Sequence, residues 1–406
     1  MFERAPFKNC PLCQETGSFG LLSVGSNALT RRCTKCRHSE AEPLPELNKK
    51  VVYLDQLAFS EIFKVRSGTR NPSAPSGELW ERINIAVKRA VLLHQIVCPT
   101  SDIHSQETTV FNRSLELRQA CEMIGGDASF KDTSYVNGMQ LAAFAEAFQE
   151  TRSIPSIAFN VDDVLEGDRN VWLPDLHITT NMDFSVFADG IRRSRESGSD
   201  ELTALARRWI AEKPSFEQQL DNELKGWGET LSQIYVDLNE ELTQAILAGD
   251  VEKTSSNALH PVNILMRQLM AAFRVDRVEV HADDRQQFVE FLRWDGLEHI
   301  PHHRIGAYLY AALARRYANG QKRLPSRGTL NDFEAISTYG PYVDAMFLDR
   351  ECATLLKEDP LKSDLPITGR IFSTASGEDF IEYLDSLSAS ATKEVRALAK
   401  SIYGVN

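Results

Sequence analysis

The chain has 406 residues, 42% of them hydrophobic and 25% charged, with a formal net charge of −12. That balance suits a large folded core or two to three modules. It excludes a generally basic nucleic-acid coat. No apolar run approaches the roughly 18 to 20 residues needed to cross a bilayer, and the opening MFERAPFKNC lacks the apolar centre of a signal peptide. The expectation is a cytoplasmic protein with no membrane partner. Of the seven cysteines, four form two tight pairs while Cys98, Cys121 and Cys352 are scattered. That is a poor disulfide framework.

Residues 1–46 read as a separate small module. CPLC (10–13) and CTKC (33–36) are separated by 19 residues of Gly-rich sequence with short β-like runs. Two such pairs can each chelate from one tight turn, so Cys10, Cys13, Cys33 and Cys36 are the expected ligands of a closed, structural zinc site. The metal would replace the core that so short a module cannot build. The first 50 residues hold eight Lys/Arg against five Glu, a basic start on an acidic body. Arg31, Arg32, Lys35 and Arg37 around the second pair weakly favour an anionic partner. EAEPLPELNKK (40–50) reads as a linker.

Next come a short buried strand at 51–55, a helix at 56–65, a loop at 66–77, a helix at 78–95, a strand at 96–101 and a helix from 102 to the Gly pair at 125–126. The alternation over 47–126 argues for a parallel α/β sheet. Residues 127–300 carry long amphipathic helical patterns and read as a helical insertion. The α/β pattern resumes over 301–406. A helix opens at PHHR (301–304), where His302 and His303 read as a helix start. A helix and turn at 328–343 follow, then a strand at 344–351, a helix, a last strand at 369–374 and closing helices.

Four acids recur at matching places. Asp55 ends the first strand and Asp349 a later one, while Glu107 and Asp332 lie on helices that leave or approach the same edge. Ligands of open parallel sheets collect outside the carboxyl ends of strands. Crowded carboxylates repel one another unless a hard cation compensates, so Mg²⁺ or Mn²⁺ is the expected occupant. Such an ion can activate water and stabilise a phosphodiester under attack. Asp344 opens the strand that Asp349 closes, roughly 16 Å away, and so takes a supporting role. Gln56 follows Asp55 directly, and His104 shares a helical face with Glu107. These two, with Arg350 and Arg327, are candidates for substrate contact.

The segments VVYLDQ, CPTSDIHSQE, LNDFEAISTYGPYVDAMFLDRE and RIFST together resemble the PIN-like nuclease superfamily, in particular bacterial PIN-like proteins. The resemblance covers about 49–126 and 300–390. It implies a PIN-like parallel sheet flanked by helices and a metal-dependent endoribonuclease that leaves 5′-phosphate and 3′-hydroxyl ends. Asp55, Glu107, Asp332 and Asp349 match that family's acids one by one. Leu57 departs from the Asn that often follows Asp-Gln, and the insertion lies outside the minimal fold. The leading expectation is an RNA-cutting enzyme serving as toxin, defence effector or RNA-processing factor, with room for a protein partner or a homo-oligomer. The alternative is a non-catalytic module that binds nucleic acid or protein through its ribbon and helices.

Overall fold

The computed structural model describes residues 7–71, 73, 76–111, 113–125, 128–172 and 188–405. It is a mixed α/β protein with two principal sheets. The N-terminal one is antiparallel, with β1 (Phe19–Val24), β2 (Ala28–Cys33) and β3 (Ser39–Pro43) in that order. The central one comprises β4 (Lys50–Leu54), β5 (Ile96–Val97), β8 (Ala345–Phe347) and β9 (Arg370–Phe372), parallel throughout and ordered β5-β4-β8-β9. Between β5 and β8 in sequence, β6 (Ser129–Phe130) and β7 (Leu165–Glu166) form a small antiparallel pair within the mainly helical insertion.

Strand alternation explains the central sheet. Val51 and Tyr53 enter one apolar core together with Met346, while Val52 and Leu54 enter another with Ala345, Phe347 and Phe372. Both faces are covered, so the strands read as unbroken apolar runs. Gly369 lets β9 approach β8, since a Cβ there would lie 2.4 Å from the Val343 carbonyl oxygen.

Three elements differ from expectation for local reasons. β5 is only two residues long. Pro99 follows closely and cannot donate to a ladder. The single helix expected over 102–126 is two, Asp102–Thr109 and Ser114–Gly125. The β-branched run Thr108, Thr109, Val110 weakens the helix where it breaks. β8 stops at Phe347, because Asp349 already caps the helix Arg350–Leu355 by accepting the Cys352 amide at 2.6 Å.

The insertion divides between two cores. The helices Thr133–Glu150, Trp227–Ala248, Pro261–Ala272 and Ala282–Leu292 share a core around Phe144, Phe148, Met266 and Phe291. The helices Ala188–Glu212 and Phe216–Leu224 instead place Leu202, Ala206, Trp209 and Phe216 in the central-sheet core with the Pro301–Ala318 helix. The ribbon is likewise no free bead. Val24 and Leu29 belong to the core of Val52, Trp80 and Tyr403. Arg31 is buried against Ser401 of the Lys393–Tyr403 helix, with Glu42 nearby. It is therefore withdrawn from the exposed basic group expected around the second cysteine pair.

Leu29→Ala should lower the urea midpoint of the main unfolding transition, at a cost of about 2–5 kcal/mol. A main transition that keeps its midpoint would mean that the ribbon folds independently of the body.

Candidate functional site

The strand order puts a topological switch point between β4 and β8. The chain leaves β4 toward β5 on one side and later returns to the other side at β8. In open parallel sheets the crevice beyond the strand carboxyl ends opens at such a point. Asp55 directly follows β4 and Asp349 comes two residues after β8. Asp55 precedes the Gln56–Arg66 helix and Asp349 the Arg350–Leu355 helix, so each stands at a positive helix end. Asp332 lies in the first turn of the Thr329–Tyr339 helix, and Glu107 in the Asp102–Thr109 helix.

Asp332 and Asp349 come together at the strand ends, while Asp55 and Glu107 lie outside that close group and act on it through their charges. Ligand atoms of Asp332, Asp349 and Cys352 all lie within 4.8 Å of one another. Burial pushes Asp55 up to about 7, with the charges of Glu107 and Asp349 adding and the amides of Leu57 and Gln56 opposing. Burial, then Asp55, Asp349 and Glu107, raise Asp332 well above the ordinary carboxylate range. Burial also raises Glu107, against the pull of Asn331 and Arg195. The Asn331 amide donates to Glu107 Oε1 at 2.8 Å, and the Arg195 guanidinium reaches the same oxygen at 3.1 Å.

Asn331 and Arg195 escaped sequence reasoning. Asn331 neighbours a predicted acid, which is its one signal. Arg195 is an ordinary charged residue on an amphipathic helix 88 positions from its partner.

The other candidates fall in different places. His104 is 2% exposed. Its Nε2 pairs with the Leu54 carbonyl at 2.8 Å, and its Nδ1 accepts from the Ser101 amide at 3.0 Å. Burial pushes it down to about 4, so it is a neutral strut between the strand before Asp55 and the helix of Glu107. With both nitrogens engaged, it is turned inward instead of toward a substrate. Gln56 donates to Thr108 Oγ1 at 3.2 Å, tying the Gln56–Arg66 helix to the helix of Glu107. Arg350 and Arg327 are exposed. Asp344 is at the opposite end of its strand, accepting the Val51 amide and the Lys50 ammonium, each at 2.8 Å. It supports the sheet and stands apart from the acid cluster.

Cys10, Cys13, Cys33 and Cys36 form a second group. Their sulfurs approach at 3.6 Å for Cys10–Cys36 and 3.7 Å for Cys13–Cys33. The edge of a tetrahedron with metal–sulfur distances of about 2.3 Å is roughly 3.8 Å, so the set fits a metal such as zinc. Amides of Lys35 and Cys36 point at the Cys33 sulfur, at 3.3 and 3.5 Å. Among the described residues no helix is long and apolar enough to cross a membrane.

No protein-family model matches the chain, and no curated protein or solved structure matches it significantly.

A carboxyl group with a higher pKa folded than unfolded holds its proton more tightly in the folded chain. Asp55, at about 7 against an ordinary 3.8, therefore subtracts stability from the metal-free protein as pH rises between those values. Asp55→Asn should remove that part of the slope. At pH 8 the metal-free variant should be more stable than wild type by on the order of 2 kcal/mol. Denaturation midpoints at pH 5 and pH 8 read the difference; an unchanged slope would refute the burial of Asp55 among other acids.

Proposed function

We propose that the protein is a divalent-metal-dependent ribonuclease with a PIN-like core and a zinc-bearing ribbon. The observation that supports this most is the gathering of Asp55, Glu107, Asp332 and Asp349 beyond β4 and β8, where burial raises the first three and neighbouring acids raise Asp55 and Asp332 further. An all-carboxylate set suits a hard cation bound through oxygen. The Cys352 sulfur lies in the same group as Asp332 and Asp349, and in the metal-free protein burial and then the surrounding acids raise its thiol pKa.

Mg²⁺ or Mn²⁺ held by these four acids would supply Lewis-acid stabilisation of phosphoryl oxygens and a lowered water pKa. The protein's own residues do the positioning. Asp349 uses Oδ1 to cap its helix and keeps the second oxygen for a cation. Glu107 is likewise held through Oε1 by Asn331, leaving Oε2 for the site. His104 and Gln56 lock the Asp55 and Glu107 segments together, so the acids cannot drift apart to relieve their repulsion. RNA as substrate comes from the family resemblance. The exposed Arg327, Arg350, Arg32, Lys35 and Arg37 offer phosphate contacts on a body otherwise too acidic for tight non-specific binding.

The test is cleavage of end-labelled single-stranded RNA by the full chain with Mn²⁺, with EDTA, and with Asp55→Asn, beside a DNA strand of the same sequence. The expected result is Mn²⁺-dependent cutting to 5′-phosphate ends, abolished by EDTA and lowered at least 100-fold by the substitution. RNA that is bound equally with and without EDTA and never cut would select a non-catalytic binding module instead.

A further inference from the structure

We infer that Arg195, carried in by the helical insertion, holds a substrate phosphate beside the acid cluster, an inference that rests on the ribonuclease reading. Along the Ala188–Glu212 helix, Arg195, Gly198, Leu202, Ala206 and Trp209 recur at spacings of three and four, which places them on one face. Leu202, Ala206 and Trp209 are buried in the core that contains Leu309, Leu313 and Tyr339. Trp209 is further pinned by its indole N–H, which donates to Gln219 Oε1 at 3.1 Å. Gly198 lies against Leu330, where a Cβ would come 2.8 Å from Cδ1, immediately before Asn331 and Asp332. The position of Arg195 is thus set by packing that runs the length of the helix.

The guanidinium has more capacity than its visible contact uses. Its bond to Glu107 goes to an oxygen that Asn331 already holds at 2.8 Å. Glu107 therefore does not need the arginine to stay in place. A guanidinium offers five donors in a planar fork that matches phosphate oxygens, and its side chain keeps 25% of its surface in solvent. RNA approaching four carboxylates meets repulsion that a nearby cation must offset. Arg195 is the cation whose charge relieves both Glu107 and Asp332. The insertion, on this account, brings a cation to the acids.

The test uses Arg195→Ala and Arg195→Lys in the full chain with three readouts: Mn²⁺ affinity by electron paramagnetic resonance, binding of a short single-stranded RNA in Ca²⁺ by fluorescence anisotropy, and Mn²⁺-dependent cleavage. Arg195→Ala should weaken RNA binding about 10-fold and lower kcat/KM about 100-fold, with lysine restoring part of each. Mn²⁺ affinity should be unchanged or higher, because a competing cation beside Glu107 has gone. RNA binding and cleavage equal to wild type would overturn the inference. Weaker Mn²⁺ binding with unchanged RNA affinity would overturn it as well, reducing Arg195 to a prop for Glu107. If wild type binds RNA without cutting it and Arg195→Ala binds more weakly, the ribonuclease reading fails and the phosphate contact stands. Wild type that binds no RNA sinks both.

Discussion

Like charges held together against their repulsion are the constraint on which this molecule turns. Four carboxylates from distant parts of the chain share the carboxyl edge of one small parallel sheet, and burial makes their mutual repulsion more costly than it would be in water. A protein can tolerate that only if the framework is stiff. Here the stiffness comes from the sheet itself, buried on both faces. His104 adds to it by tying the last carbonyl of β4 to the helix start at Ser101. Helix N-termini at Asp55 and Asp349 offset part of the charge; the remaining deficit is what a bound cation would fill.

The rest of the architecture serves that edge. The Ala188–Glu212 helix of the insertion packs on the central core and brings Arg195 to Glu107, while the helices around Phe148 and Phe291 build a core of their own. The ribbon docks on the other side of the sheet through Val24, Leu29 and the buried Arg31. A closed four-sulfur site there fits a structural metal, chemically distinct from the oxygen donors at the sheet edge.

Much of this was legible from residue order, and what was missed has identifiable causes. β4, β8 and β9 announce themselves because strands buried on both sides have no polar alternation to confuse them. The ribbon is legible because paired cysteines at short spacing have few other uses. Asp55 and Asp349 stood out through their place after apolar runs. The helix break at Val110 turns on a short β-branched run that periodicity overlooks. Arg31 and Arg195 were opaque for a common reason: nothing local marks a charged residue whose partner lies far along the chain. Arg31 read as one of the basic residues around the second cysteine pair and is buried; Arg195 is one cation of an amphipathic helix and meets Glu107. His104 was singled out with substrate contact, carboxylate orientation and a capping or core place all open, and helical spacing beside Glu107 could not reveal that both ring nitrogens would be taken.

The most direct measurement of the central claim is a crystal structure of the full chain soaked in Mn²⁺, with anomalous scattering recorded near the manganese edge. The account predicts an anomalous peak bounded by carboxylate oxygens of Asp55, Asp332 and Asp349, with Glu107 on its flank. A manganese-soaked crystal with the four acids in place and no peak among them would contradict it.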